Sequence, residues 1–237
     1  MTDHQKTPEL YLSMPHPCSY LPGKTATTLF IDPHHPPDAE TFNRFTRQGF
    51  RRSGELIYRP HCHGCAECVP VRVPVHLFQP NRGQRRVQAR NRDLEIIRLD
   101  PVFSQEHFDL YLRYQASRHA GGGMDDPNPE KYLHFLVHSR VETVFYEMRA
   151  GDRLLCVAVV DHLPDALSAV YTFFDPDEKA RGLGVYSVLW EIDRARALNL
   201  NWLYLGYWIK DNRKMAYKSK YRPLEAYRRG RWTPLTR

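Results

Sequence analysis

The sequence predicts a mixed α/β fold, and three stretches carry that expectation. Residues 154–160 (LLCVAVV) form a continuous apolar run of strand length, and residues 167–174 (LSAVYTFF) are rich in aromatic and β-branched side chains between Pro164 and Pro176. A turn containing Gly182 and Gly184 leads into Val185, Val188, Leu189, Ile192 and Ala195, the i, i+3, i+4 spacing of a helix with one buried face. Residues 201–207 then return as a strand. Strand, strand, glycine turn, helix, strand is the order around which the rest of the chain is arranged.

Composition narrows the class. At 237 residues the chain is long enough for one large or two small domains, and 42% hydrophobic with 12% aromatic residues is the make-up of a folded protein. A formal charge of +7 and a pI near 9.2 bias the partners toward anions, nucleic acid among them. No run approaches the roughly 18 apolar residues that cross a bilayer, and the N-terminus lacks the apolar stretch of a signal peptide, so a cytoplasmic location and no membrane partner are expected. Five cysteines, with Cys156 inside an apolar strand, then favour free thiols or metal ligands over disulfides.

In chain order, residues 17–23 (PCSYLPG) read as a stiff, ordered loop. Residues 38–48 place Phe42 and Phe45 on one face and end at Gly49, a short helix. Residues 50–59 (FRRSGELIYR) read as a hairpin about Ser53 and Gly54 that brings Arg51, Arg52 and Arg59 near one another. Residues 71–75 follow as a strand. Residues 82–92 (RGQRRVQARNR) are a helix candidate whose guanidinium groups, Arg85 and Arg86 at the centre, repel unless anions neutralise them. A solvated linker is the competing reading. Ser104 caps a helix to residue 120, and Asn128-Pro129 starts another to about residue 138, with Gly121 to Gly123 as a joint between them. A strand at 141–149 opens the sheet. The boundaries fall at 1–100 for a smaller N-terminal domain and 101–237 for the main one.

Between the hairpin and the 71–75 strand lies Cys62-His63-Gly64-Cys65-Ala66-Glu67-Cys68. Three cysteines at this spacing let thiolates converge on one ion, and Cys18 is available as a fourth, so zinc or an iron–sulfur cluster and ordinary free thiols are both open.

The glycine unit resembles the acyl-binding core of the acetyltransferase-like (GNAT) fold, whose turn holds a pyrophosphate on backbone amides at a helix N-terminus. Lys179 stands where that family usually has Arg or Gln. By spacing alone the turn reads equally as a structural helix start. Farther on, Lys210, Arg213, Lys214, Lys218, Lys220 and Arg222 interleave with Tyr217 and Tyr221, cations for phosphates and rings for bases.

Asp161-His162-Leu163-Pro164, Asp175-Pro176, Gly182-Leu183-Gly184-Val185-Tyr186-Ser187, Leu205-Gly206-Tyr207-Trp208-Ile209 and Lys214-Met215-Ala216-Tyr217-Lys218 are similar to stretches of the aminoacyl-tRNA–protein transferases. So are Gly49-Phe50-Arg51-Arg52-Ser53-Gly54, Tyr58-Arg59-Pro60 and Cys68-Val69-Pro70-Val71-Arg72, and the likeness covers nearly the whole chain. Length and cysteine arrangement resemble the shorter bacterial branch. The resemblance implies transfer of leucine from leucyl-tRNA to the α-amine of proteins beginning with Asp or Glu, a mark for degradation, with no cofactor required. An arginyl-tRNA–protein transferase, a CoA-dependent N-acetyltransferase and a nonenzymatic RNA-binding protein are the alternatives.

That reaction is attack of an amine on an ester that is already activated, so positioning and oxyanion donors carry most of the demand. Asp161, Tyr171 and Tyr186 are the catalytic candidates, with Asp161 taking the amine proton or holding an ammonium. Arg181, Gly182, Gly184, Lys214, Lys218, Arg85 and Arg86 are the phosphate and tRNA candidates. An acidic acceptor residue calls for a planar cationic fork, for which Arg51, Arg52, Arg59 and Arg72 are the candidates in a pocket between the two domains.

Overall fold

The computed structural model describes residues 8–118 and 128–236, so the expected joint at Gly121 to Gly123 lies outside the described residues. The chain begins with β1 (Leu10–Leu12), β2 (His16–Pro17), β3 (Thr25–Ala26), β4 (Thr28–Ile31), α1 (Ala39–Arg47), β5 (Arg51–Ser53) and β6 (Leu56–Pro60). There follow β7 (Val69–Pro74), α2 (Arg82–Arg90), β8 (Glu95–Leu99), α3 (Gln105–Arg118) and α4 (Pro129–Tyr132), which runs on through a wider helical turn at Leu133–Val137. The remainder is β9 (Thr143–Ala150), β10 (Arg153–Leu163), β11 (Ala166–Phe174), α5 (Leu183–Ala197), β12 (Trp202–Trp208), a 3-10 turn at Ala216–Lys220, β13 (Glu225–Arg228) and β14 (Arg231–Pro234).

Most elements have a local cause visible in the chain. The Asp38 carboxylate accepts from the Thr41 amide to start α1, and Asn81 with Gln84 makes a reciprocal capping box that starts the arginine helix α2. Asn128 caps α4 with Pro129 in its first turn, where a missing N–H costs nothing. The hairpin about Ser53 and Gly54 forms as β5 and β6, with Arg51 opposite Tyr58 and Arg52 opposite Ile57.

The strands make a mixed α/β arrangement. One sheet has eight strands in the order β14-β13-β7-β12-β11-β10-β9-β8, a second has the order β1-β4-β6-β5, and β2 pairs with β3. The boundary expected at residue 100 does not separate sheets. β7 and β8, both before it, are strands of the large sheet, because the apolar run of β7 is buried along its whole length and needs neighbours on both sides. Along β10 the side chains alternate. Cys156, Ala158 and Val160 pack with the α5 face, and Val157 and Val159 pack with α3 and α4 on the other. No helix among the described residues is long and apolar enough to cross a membrane.

A third apolar cluster, Ile31, Phe42, Phe50 and Ile57 with Leu163, Ala166 and Tyr204, joins the small sheet to the large one. A buried ion pair lies beside it. Arg52 of β5 donates through Nε and Nη2 to Asp161 of β10 at 2.7–2.9 Å, Thr143 adds a hydroxyl donor at 2.8 Å, and the two charged side chains are 2% and 1% exposed. Removing one member of such a pair strands a buried charge. Asp161→Asn should therefore lower the urea-unfolding free energy by roughly 3–5 kcal/mol. Arg47→Ala, which breaks the more exposed pair with Asp165, should cost at most about 1 kcal/mol. Equal losses in the two variants would contradict this account.

Candidate functional site

The site is built where two parallel strands come apart. β11 and β12 pair only through Ala166–Trp202, Leu167–Leu203 and Ser168–Tyr204, although β11 continues to Phe174 and β12 to Trp208. Irregularities flank the split. The β10–β11 register slips between Val159 and Val160, and the β12–β7 register slips between Tyr204 and Gly206. Bulges bend strands and re-aim side chains at such places. Beyond the split Ala169, Val170, Tyr171 and Thr172 are partly exposed in the middle of the sheet, while Ala166 to Ser168 are buried.

Arg51 enters this gap from β5. Its Nη1 donates to Ser168 Oγ at 2.8 Å and its Nη2 to the Ala169 carbonyl at 2.6 Å. From the other side Lys218 Nζ donates to the Tyr207 carbonyl at 2.7 Å. The two cations meet over Gly206, which has φ of +75° and where a Cβ would lie 3.5 Å from Arg51 Nε and 3.7 Å from Lys218 Nζ. A side chain there would be strained and would crowd both cations.

Behind them sits Glu191 of α5, fully buried, with Oε1 accepting from Ser187 Oγ at 3.1 Å and Oε2 without a hydrogen-bond partner among the described residues. Burial pushes its carboxyl up to about 8, against the smaller opposing pulls of the Ser187 hydroxyl and the Arg51 charge. Burial likewise brings the Lys218 ammonium down to about 7, with the Arg51 charge adding to the shift. An acid and a base thus have proton affinities brought toward each other around one guanidinium.

The expected site residues divide. Of the four acceptor candidates, Arg52 is taken by Asp161, and Arg72 pairs with Glu225 at 2.8 Å while its guanidinium lies over Trp202 and Trp232. Arg59 donates to the Gln48 carbonyl and lies over Phe50. Arg51 alone of the four projects into the split. Asp161 is not placed to take a proton, because Arg52 and Thr143 occupy its oxygens. Tyr171 turns its ring toward Tyr111, Tyr114 and Phe135, and its hydroxyl has no partner among the described residues. Burial raises its phenol, as it raises that of Tyr186, which packs on the α5 side of the core.

Lys218, expected on the RNA-facing surface, is instead inside the cleft because the 3-10 turn after β12 folds it back onto Tyr207. Lys214, Arg85 and Arg86 are exposed. Arg181 is clamped by both oxygens of Asp93 at 2.8 and 2.9 Å. Gly182 has φ of +67° and opens α5 without a side-chain cap, and a Cβ on Gly184 would come 3.0 Å from the Phe174 ring. Sequence reading missed Glu191. The available signal was a glutamate three residues after Val188 and four before Ala195, on the face of α5 that packs into the core.

All five cysteines are free. Cys18, Cys62 and Cys65 lie close enough to Cys68 for their charges to add to the effect of burial, which pushes the Cys68 thiol up to about 12. Among the described residues no group of three or more His, Cys, Asp or Glu side chains is arranged to hold a metal ion.

The family described as arginine-tRNA-protein transferase, N terminus, matches residues 16–86, and its C-terminus counterpart matches residues 106–228. The aspartate/glutamate leucyltransferase of Pseudomonas syringae pv. tomato is 51% identical over 227 residues, covering 96% of this chain and 97% of that protein. The protein of the same name from Nitrosococcus oceani is 53% identical over 228 residues, covering 96% of each. Among solved structures, L-PGS from Bacillus licheniformis aligns at a TM-score of 0.45 and 14% identity, over 69% of this chain and 60% of that one.

The Lys218 shift has a consequence for stability. Between pH about 7 and its ordinary value of 10.5, the unfolded chain holds a proton on Lys218 that the folded chain lacks, so this group makes stability rise with pH across that window. Lys218→Met removes that contribution. In melts from pH 6 to 10.5, wild type should gain on the variant as pH rises. Parallel curves would show that Lys218 has an ordinary proton affinity.

Proposed function

Because this chain belongs to the arginine-tRNA-protein transferase family, we propose that it transfers leucine from leucyl-tRNA to the N-terminal α-amine of proteins beginning with Asp or Glu, creating a degradation signal. Its leucyltransferase relatives support leucine over arginine as the group carried. The observation that carries the acceptor side is the pairing of charges. Arg52 and Arg72 rest on carboxylates, whereas Arg51 and Lys218, at the split, are hydrogen-bonded among the described residues only to neutral oxygens and to the Met215 sulfur. A carboxylate is the stronger acceptor for both. An incoming Asp or Glu side chain supplies the missing charge, and an Asn or Gln side chain does not, a difference of a few kcal/mol at a partly desolvated fork.

We read β9 to β12 with α5 as an acetyltransferase-like core whose acyl cleft is the β11–β12 split. The donor lies along the glycine turn, with Gly182 and Gly184 toward the phosphates of the tRNA 3′ end and with Arg85, Arg86 and Lys214 on the phosphate backbone beyond. Support for this comes from α2, whose Val87 packs 3.5 Å from the Gly182 Cβ position and whose Arg90 donates to the Ala180 carbonyl, so the arginine helix flanks the turn. The ester is activated by its bond to the ribose, and the reaction so read needs no cofactor. The protein's part is to align amine and carbonyl, worth up to roughly 7–11 kcal/mol in favourable cases.

The direct test is incubation of the protein with leucyl- and arginyl-tRNA in parallel, with peptides starting Asp, Glu, Asn or Gln, read by mass. Leucine should be added to the acidic peptides alone. Arg51→Met should raise KM for an Asp-starting peptide by roughly 100-fold or more while leaving leucyl-tRNA affinity within about twofold, on the scale of a lost charge-assisted bond. Retained preference for acidic peptides would move the pocket elsewhere. The double variant Arg85→Ala/Arg86→Ala should flatten the dependence of tRNA affinity on salt by about two phosphate contacts, and an unchanged slope would return α2 to a solvated surface.

A further inference from the structure

We propose, building on the reading of the β11–β12 split as the acceptor pocket, that Glu191 is the catalytic base that takes the proton from the acceptor's α-ammonium. Glu191 is fully buried, yet its Oε2 has no hydrogen-bond partner among the described residues. An unpartnered buried carboxyl oxygen is costly and calls for a partner that the folded chain alone does not supply. Its other oxygen is fixed by Ser187, itself fully buried, whose Oγ lies 3.4 Å from Thr172 Oγ1 on β11, so the carboxyl is tied to the strand that borders the split.

Position agrees with the chemistry. Ser187 ties Glu191 to Thr172 on β11, the same strand whose Ser168 hydroxyl and Ala169 carbonyl accept from Arg51. In an N-terminal Asp or Glu the side-chain carboxylate and the α-nitrogen are only a few bonds apart. A residue seated with its carboxylate on Arg51 and Lys218 therefore carries its ammonium within the same enclosure, where the oxygens of Asp161 are occupied by Arg52 and Thr143 while Glu191 keeps one oxygen without a partner among the described residues. Burial raises the Glu191 carboxyl against the pulls of Ser187 on its own helix and Arg51 from β5, and the groups that feel its charge in turn are Cys156 on β10 and Tyr217 and Tyr221 at the C-terminal turn. Burial holds its proton affinity near that of an α-amine, about 8 against an ordinary 7.7–8, so transfer between them is nearly balanced.

The step balances. The α-ammonium gives a proton to the Glu191 carboxylate, and the freed nitrogen pair attacks the ester carbonyl carbon to form the C–N bond. As the intermediate collapses, the carbon–oxygen bond to the ribose breaks, and the ribose oxygen leaves with that pair and takes the second proton shed by nitrogen. The peptide amide, the tRNA hydroxyl and protonated Glu191 result, and Glu191 returns its proton to water.

The test is Glu191→Gln in the full chain, which keeps the volume and an acceptor for Ser187. At saturating leucyl-tRNA and Asp-starting peptide, kcat at pH 7 should fall by roughly 100-fold or more, with both KM values within about twofold. The rise of kcat with pH shown by wild type should be lost. If the variant retains a third or more of kcat and the same pH profile, Glu191 is not the base. Should Glu191→Gln fail to fold, Ser187→Ala serves. Losing that donor removes a stabiliser of the carboxylate, so the rising limb of kcat must move to higher pH, and an unmoved limb overturns the proposal. Wild type that adds no leucine to acidic peptides would instead refute the underlying reading.

Discussion

The pair between Arg52 and Asp161 is the contact on which the geometry of the site depends. Arg52 and Arg51 are consecutive on β5, so when one side chain is fixed against β10 the direction of the next is set. Asp161 is directly opposite Ser168 in the β10–β11 register, and Ser168 is the residue that Arg51 reaches. One two-pronged ion pair thus docks the small sheet on the large one and delivers a second guanidinium to the point where β11 and β12 part. A buried pair of this kind yields little net stability relative to apolar packing. Its value here is in direction, since no apolar contact would fix the angle at which Arg51 enters.

Splitting two parallel strands leaves backbone groups that the ladder would have satisfied, and the structure meets this need with side chains from outside the sheet. The Ala169 carbonyl takes Arg51 and the Tyr207 carbonyl takes Lys218. Each cation consequently does two things. It closes a hydrogen-bond deficit in the empty protein and remains available to a better acceptor. Exchange of a neutral carbonyl for a carboxylate costs less than desolvating a free cation would, because most of that cost is already met in folding.

Much of the fold was legible in the chain. The short helix from Asp38, the helix start at Asn128-Pro129, the hairpin at Ser53-Gly54 and the run from 154 to 207 are local signals, and the structure follows them. The domain boundary was not, because the membership of β7 and β8 in the large sheet rests on pairings made across more than a hundred residues for β7 and about fifty for β8. Arginine is a recognisable candidate for an acidic ligand, but which arginine is free depends on where the protein's own carboxylates fall. Asp161, Glu225 and Asp93 remove Arg52, Arg72 and Arg181 from consideration, and none of those pairs is local in sequence. The same holds for Lys218 and Glu191, which composition reads as surface charge and which the 3-10 turn and α5 carry inside.

Those two buried groups weaken the fold in ways that differ with pH. Glu191 takes up a proton on folding between its ordinary value of 4.5 and about 8, so its contribution falls as pH rises through that range. Lys218 sheds one on folding between about 7 and 10.5, so its contribution improves as pH rises there. Near pH 7 to 8 both penalties are substantially present, and a stable core would sooner have placed apolar side chains at both positions. Among the described residues neither group is in an ion pair, and their common charged neighbour is Arg51, which assists the carboxylate and opposes the ammonium. On the proposed reading, the stability given up by keeping an acid and a base around one guanidinium is exchanged for proton-transfer capacity at the pH where α-amines titrate. The balancing charges then come with the substrate, since an amino-terminal acidic residue bears one cation and one anion.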